Sequence, residues 1–413
     1  MKWSAIEIPA GQNWSCHGCS DCCRGALLIK ITAEEKARIE RQNWATADGV
    51  DPATMIVSER GYFRLGHQPD GACVFLDAAG RCRIHAKFGE ATKPLACRLY
   101  PIAIHPVGDK LVVGLRFSCP SAAANLGKPL TTQRAEIQKL AVEVVPRDFE
   151  PGDPPPIATA TDGEWPDFIR FMKWLDTSMA AANVPVALKF LRTLHWLNAV
   201  EKGGLEQITG AGAEEILGVL NESAKEKLPA LPNDLPAPSK FGRVFFRSLV
   251  LEHARTVTVG DMRTASRYRW KMLRASYRFI LGTGRTPALR KGLESVEFSD
   301  IENFPGKLSP SADAMLTRYF RVKIESLHFS GRAFHNAPLI EGFRNLALLY
   351  PIIVWLARWL AVSAGRKALL DEDIAHAISM VDYHHGYSPY LRWRIRLLAH
   401  RNDIAKLCAG YGR

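Results

Sequence analysis

The chain has 413 residues, of which 47% are hydrophobic and 23% charged, and a formal charge of +12. Enough apolar mass is present for a packed core, which excludes collagen-like, low-complexity and disordered classes. At roughly 150 residues per domain the length suggests two or three domains, and nine cysteines are too sparse for a disulfide scaffold.

The opening residues, MKWSAIEIPAGQNWSC, hold no apolar stretch of secretory type. A cytoplasmic location with reduced, metal-competent thiols is therefore expected. Residues 26–31 (ALLIKI) read as a strand. Thr32 follows as a helix N-cap, and Glu35 completes a capping box. Residues 73–76 and 82–84 flank Asp77-Ala78-Ala79-Gly80, a hairpin signal with glycine in the turn. Pro94 opens a short helix to Leu99, which Pro101 ends. Residues 102–105 and 111–117 flank Val107-Gly108-Asp109-Lys110, a second hairpin.

Residues 146–165 carry five prolines and two glycines with little periodicity, which marks a linker. Beyond it, apolar residues recur at three- and four-residue spacing over 165–179, 184–202, 213–227, 239–257, 261–281, 312–327, 339–364, 371–383 and 389–409. The run from Leu346 to Ala364 contains Pro351 and Arg358. It is expected to be a buried bundle helix, since a spanning helix needs about 20 apolar residues with few charges. The expected architecture is α+β. A small cysteine-rich metal-binding module (1–145) is followed by a proline-rich linker (146–164) and an all-α body (165–413) with a further boundary at 229–239.

Eight cysteines lie between Cys16 and Cys119, and Cys408 stands alone. Cys16, Cys19, Cys22 and Cys23 form a Cys-x-x-Cys-x-x-Cys-Cys run; Cys73, Cys82, Cys97 and Cys119 follow. Thiolates at two-residue spacing converge on one ion or cluster when a tight turn aims them inward. Neighbouring side chains diverge by about 100° in a helix and point to opposite faces of a strand. One metal therefore takes Cys22 and Cys23 together with difficulty, and the pair suggests two sites or one polynuclear cluster. A division into Cys16, Cys19, Cys22, Cys119 and Cys23, Cys73, Cys82, Cys97 gives two four-cysteine sets. An iron–sulfur cluster, of the 4Fe-4S type, is favoured over zinc. Cys408 is read as a spectator.

These pieces resemble the bacterial CxxCxxCC family of zinc- or iron-chelating domains. The similarity lies in CHGCSDCC, in the segment from Cys73 to Ile84, in Pro94-Leu-Ala-Cys97-Arg98-Leu-Tyr-Pro101 and in Ser118-Cys119-Pro120. The family also contains flagellin lysine-N-methylases. Those are similar from Gly89 to Pro101, in the Ser-Cys-Pro piece, and in Arg318-Tyr-Phe-Arg and Leu370-Asp-Glu-Asp-Ile374. The resemblance implies a metal- or cluster-binding module, with S-adenosylmethionine-dependent protein lysine methylation as an activity to test.

Arg24 and Arg98 stand beside thiolates and are candidates to bind an anionic cofactor group. His17, His85 and His105 are expected to be solvated or hydrogen-bonded, and His384 and His385 to favour a helix dipole. No catalytic residue is assigned, and neither a nucleotide nor a nucleophile-elbow fingerprint is present. Between Lys240 and Asp300, 13 Lys and Arg face 5 Asp and Glu, so this span carries about +8 of the charge. Its Arg263, Arg267, Arg269, Lys271, Arg274 and Arg278 alternate with Tyr268, Trp270 and Tyr277. The expected reading is a solvated basic face with the aromatics turned to the core. An acidic or lysine-bearing protein is the expected partner; nucleic acid and a membrane span are not expected.

Overall fold

The computed structural model describes residues 3–24, 28–59, 61–146, 148–150, 152–159, 163–232, 234–255, 265–386 and 401–411. The N-terminal part holds β1 (Ala5–Glu7), β2 (Asn13–Trp14), α1 (Asp21–Arg24), β3 (Lys30–Ile31), α2 (Ala33–Glu40), β4 (Ile56–Glu59) and β5 (Tyr62–Leu65). It continues with α3 (Arg83–Phe88), α4 (Leu95–Leu99), β6 (Ile102–Val107), β7 (Lys110–Leu115), α5 (Pro120–Ala123), β8 (Lys128–Pro129) and α6 (Arg134–Val144). Helices follow: α7 (Trp165–Ala180), α8 (Val186–Lys202), α9 (Gly210–Lys227), α10 (Lys240–Ala254) and α11 (Ala265–Leu281). The last are α12 (Phe298–Glu302), α13 (Pro310–Glu325), α14 (Leu339–Ser363), α15 (Asp371–His384) and α16 (Ile404–Tyr411). The fold is α+β, as expected.

The predicted hairpin at 102–115 forms as β6–β7, with Ile104 opposite Val113 and Gly108 at positive φ in the turn. β1 adds in parallel to β7, so β7 is central and Leu111, Val112, Val113 and Leu115 are all buried. A second sheet, in the order β3-β5-β4, carries the predicted strand only at Lys30 and Ile31; residues 25–27 lie outside the described residues. The capping box forms: Glu35 N–H donates to Thr32 Oγ1 and Thr32 N–H to Glu35 Oε2.

The first predicted hairpin is corrected. Leu76 and Cys82 meet in one isolated bridge, and Asp77 accepts the Arg81 N–H at 2.7 Å across the turn. The chain then enters α3 with Cys82 at its N-cap. Ile84 and Phe88, four residues apart, share a helix face, and the Phe88 ring lies edge-on to Trp44 at 5.4 Å. A tertiary contact outweighs the strand propensity of so short a run.

The helical pattern after residue 165 is realised with ends shifted by a few residues. Ser309 and Ser239 cap α13 and α10 with their side chains. Residues 256–257, 261–264 and 389–400 of three predicted helices lie outside the described residues. α14 is long and apolar enough to cross a membrane by composition, yet it is mostly buried inside the fold. Its Arg344 pairs with Glu201 and donates to Asn198, and Arg358 lies over the Tyr411 ring.

Two apolar cores result. The small one joins Ile31, Ile39, Trp44, Val50, Leu65, Val74, Phe75 and Ile84, with Cys73, Cys82 and Cys97 on its flank. The large one runs from Ile6 through Leu115 and Phe117 to the helices and Ala409. At Gly114 of β7 sheet and body approach closely, since a Cβ there would stand 2.5 Å from Ser326 Oγ. The proline-rich stretch also packs. Pro156 and Ile157 carbonyls accept the Leu339 and Ile340 N–H groups, two of the donors that a helix start leaves without internal partners.

Candidate metal centre

The loops that carry the cysteines are held by short-range pairing of distant segments. β2 pairs with β8, and Ser15 N–H donates to the Leu126 carbonyl. This sets the Cys16–Cys19 loop beside the turn of Cys119. His17 Nδ1 lies 3.2 Å from Ser121 Oγ on the same side. Cys22 and Cys23 sit on the single turn of α1, and Cys73 N–H donates to the Cys23 carbonyl at 2.7 Å. Cys97 is carried by α4, whose Leu95 N–H is accepted by Glu35 Oε1 at 2.7 Å. One carboxylate thus closes the capping box of α2 and seats the cysteine-bearing helix.

Cys16, Cys19 and Cys22 are exposed, Cys23, Cys73, Cys82 and Cys97 half-buried, and Cys119 buried; all are free thiols. Cys119 and Cys22 act electrostatically on Cys19 and Cys22 on Cys119, while Cys97, Cys82 and Cys22 act on Cys73 and Cys82 and Cys22 on Cys97. Cys22 and Cys23 sulfurs are 3.8 Å apart. Among the described residues no three donors close on one point at ligand distance. Burial pushes the Cys73 and Cys97 thiols up to about 12. The hydrogen bond with Cys23 pushes Cys22 up as well. Such thiols stay protonated until a cation displaces the proton.

The donor set fits a thiophilic metal. Backbone N–H groups of Asp21, Phe75 and Ala122 favour the thiolates of Cys19, Cys73 and Cys119, and the Ser121 N–H adds to Cys119. Hydrogen bonds to the sulfurs tune thiolate-held centres. Lys93 contributes positive charge beside Cys22 and Cys97.

Arg98 forms a bidentate pair with Glu143 of α6, and Arg24 donates to Ser20 and faces Asp70. His85 is exposed. His105 is half-buried, its ring 5.4 Å from that of His328. The dipole role for His384 and His385 is corrected. Both are buried, with Nε2 of His384 on the Arg255 carbonyl and that of His385 on the His328 carbonyl. Burial lowers their pKa to about 4 and about 3, so the rings are neutral at neutral pH. Cys408 donates to the Ala347 carbonyl inside the large core.

Sequence reasoning missed the residues that brace the Cys119 turn. Asp382 accepts the Ser118 N–H, and Ser379 Oγ donates to the Ser118 carbonyl. Arg318 donates to the Ala122 and Ala123 carbonyls and to Gln12 Oε1. The Arg318-Tyr-Phe-Arg resemblance was the available signal for Arg318; Asp382 had none. Lys93 stands inside the KPLACR piece without drawing notice as a cation.

No curated protein and no solved structure matches the chain. The cysteine-bearing segment does match a family model. Residues 15–120, which contain all eight clustered cysteines, match the model of the CxxCxxCC family, described as "Putative zinc- or iron-chelating domain".

Proposed function

We propose that the eight cysteines hold two metal centres or one polynuclear centre, with an iron–sulfur cluster favoured over zinc. What supports this is that Cys22 acts electrostatically on Cys19 and Cys119 and also on Cys73 and Cys97, so one thiol lies within reach of members of both sets. Cys16, Cys19, Cys22 and Cys119 form one ligand set in this reading, and Cys23, Cys73, Cys82 and Cys97 the other. An iron–sulfur centre bound there supplies one-electron chemistry or an iron site for a donor molecule; zinc would only fix the loops. The chain's own part is to place the thiols, donate backbone N–H groups to them and brace the Cys119 turn from the body. Anaerobic purification followed by iron, zinc and sulfide determination tests this. Iron with labile sulfide supports the cluster; stoichiometric zinc without sulfide overturns it. Cys→Ser variants then read the partition: loss of all metal from any one change overturns the two-set division.

The similarity to flagellin lysine-N-methylases from Gly89 to Pro101 and at Ser118-Cys119-Pro120 supports a protein-modifying reaction. S-adenosylmethionine would there supply the methyl group to a substrate lysine Nζ, its methyl–sulfur bond breaking as the N–C bond forms, with S-adenosylhomocysteine and a proton released. Arg24 and Arg98 are the candidate contacts for an anionic cofactor group, and an acidic or lysine-bearing protein is the substrate class. Labelled methyl transfer to lysine-bearing protein by the metal-loaded chain is the test. Its absence leaves a non-catalytic metal module joined to a helical interaction body.

A further inference from the structure

α11 departs from the expected inward-facing aromatics. Ala275 and Phe279 are its buried positions, and Phe279 packs against Phe298, Trp355 and Trp359. Trp270, Leu273 and Tyr277 are 67%, 60% and 62% exposed, and Ile280 and Leu281 are exposed too. At 100° per residue these five fall within an arc of roughly 100° that points away from Phe279. Arg267, Lys271, Arg274 and Arg278 form the adjoining arc and, with Arg285, line a cleft of about 610 Å³. The helix has five cations and no acid. Among the described residues none of the five is held in an ion pair.

A large exposed apolar stripe flanked by unneutralised cations requires an occupant that is both apolar and anionic. A second copy fits poorly, because two such helices face to face set like charge on like charge. The stripe is the convex outer side of a helix, not a groove, so a broad surface suits it better than another helix. Tryptophan and tyrosine prefer the level of lipid headgroups, and arginine and lysine stems lie along apolar surface while their heads reach polar phosphates. We propose that α11 docks the protein on an anionic phospholipid bilayer. Trp270, Leu273 and Tyr277 enter the headgroup–acyl boundary, and Arg267, Lys271, Arg274 and Arg278 meet lipid phosphates. This binding is independent of the metal centre.

The test is sedimentation of the full chain with vesicles of phosphatidylcholine containing phosphatidylglycerol, and with phosphatidylcholine alone. Binding to the first and not the second is expected, and it weakens as salt screens the charges. Each cation removed lowers partitioning roughly fivefold. The combined Arg267→Ala, Arg274→Ala and Arg278→Ala variant therefore loses on the order of a hundredfold. Trp270→Ser with Leu273→Ser also abolishes sedimentation. Both variants are to be compared at an unchanged unfolding midpoint, which the exposure of these side chains favours. No binding to either vesicle, equal binding to both, or full retention by the folded variants overturns the proposal. Binding to polyglutamate with vesicles ignored also overturns it and reassigns the face to an acidic protein.

Discussion

Asp382, fully buried on α15, accepts the backbone N–H of Ser118 at 3.1 Å, one residue before Cys119. Its other oxygen pairs with the equally buried Lys323 at 2.5 Å. A buried ion pair adds little net stability, but losing one partner leaves the other charge uncompensated. Asp382→Asn is therefore expected to cost about 3–5 kcal/mol, read from urea unfolding. Lys323→Met combined with Asp382→Asn should recover most of that cost. A single variant that unfolds at the wild-type urea concentration would show that the pair carries no such weight.

Buried histidines make the fold acid-sensitive. Burial lowers His105 and His384 from 6.5 to about 4 and His385 to about 3; for His105 the charge on Lys323 adds to this. Below pH 6.5 the unfolded chain takes up protons that the folded chain refuses, so stability falls with pH. Their contribution is fully present above pH 6.5 and is lost as pH drops towards about 4. Denaturation midpoints measured at pH 7 and at pH 5 should differ clearly; equal midpoints would place these rings in solvent.

Glu35 has two duties, at Thr32 and at Leu95. Glu35→Ala should cost roughly 2 kcal/mol, from the lost cap and one further charge-assisted bond. Hydrogen exchange at the Leu95 amide should quicken at the same time. Unchanged exchange there would mean that α4 is seated by other contacts.

Gly114→Ala forces a methyl into Ser326 and should cost about 1–3 kcal/mol by overpacking. Ser326→Gly in the same chain should return most of it. A Gly114→Ala protein that melts like the parent would indicate that sheet and body are free to separate.

Cys97→Ser should lower bound metal, whereas Cys408→Ala should retain all of it while costing about 1 kcal/mol for a buried sulfur. Metal content per chain, measured beside thermal unfolding, separates the two. Metal lost from the Cys408 variant would end its reading as a packing residue.

Local chemistry was legible in the sequence, and tertiary choice was not. Thr32 and Glu35 are three residues apart, and Val107 and Lys110 flank two turn residues, so their structures follow from near neighbours. Cys82 to Phe88 was misread because Trp44, some forty residues away, decides that Ile84 and Phe88 share a helix face. Periodicity identified which α11 residues lie together but not which side faces the core; Phe279 went in and Trp270 out. The eight cysteines stood out by spacing, as donor sets do. The arms that steady Cys119 reach it from α13 and α15, about 200 and 260 residues later, beyond any pattern of adjacent residues.

That reach sets an order of events during synthesis. Arg318 holds Gln12, Ala122 and Ala123 together, and a chain grows from its N-terminus. The ribosome must have released α13 before the Cys119 turn can acquire its final shape. Metal delivery to a nascent chain that stops short of residue 318 would meet a half-braced pocket. A fragment cut behind the last clustered cysteine would lack the braces from Arg318, Ser379 and Asp382.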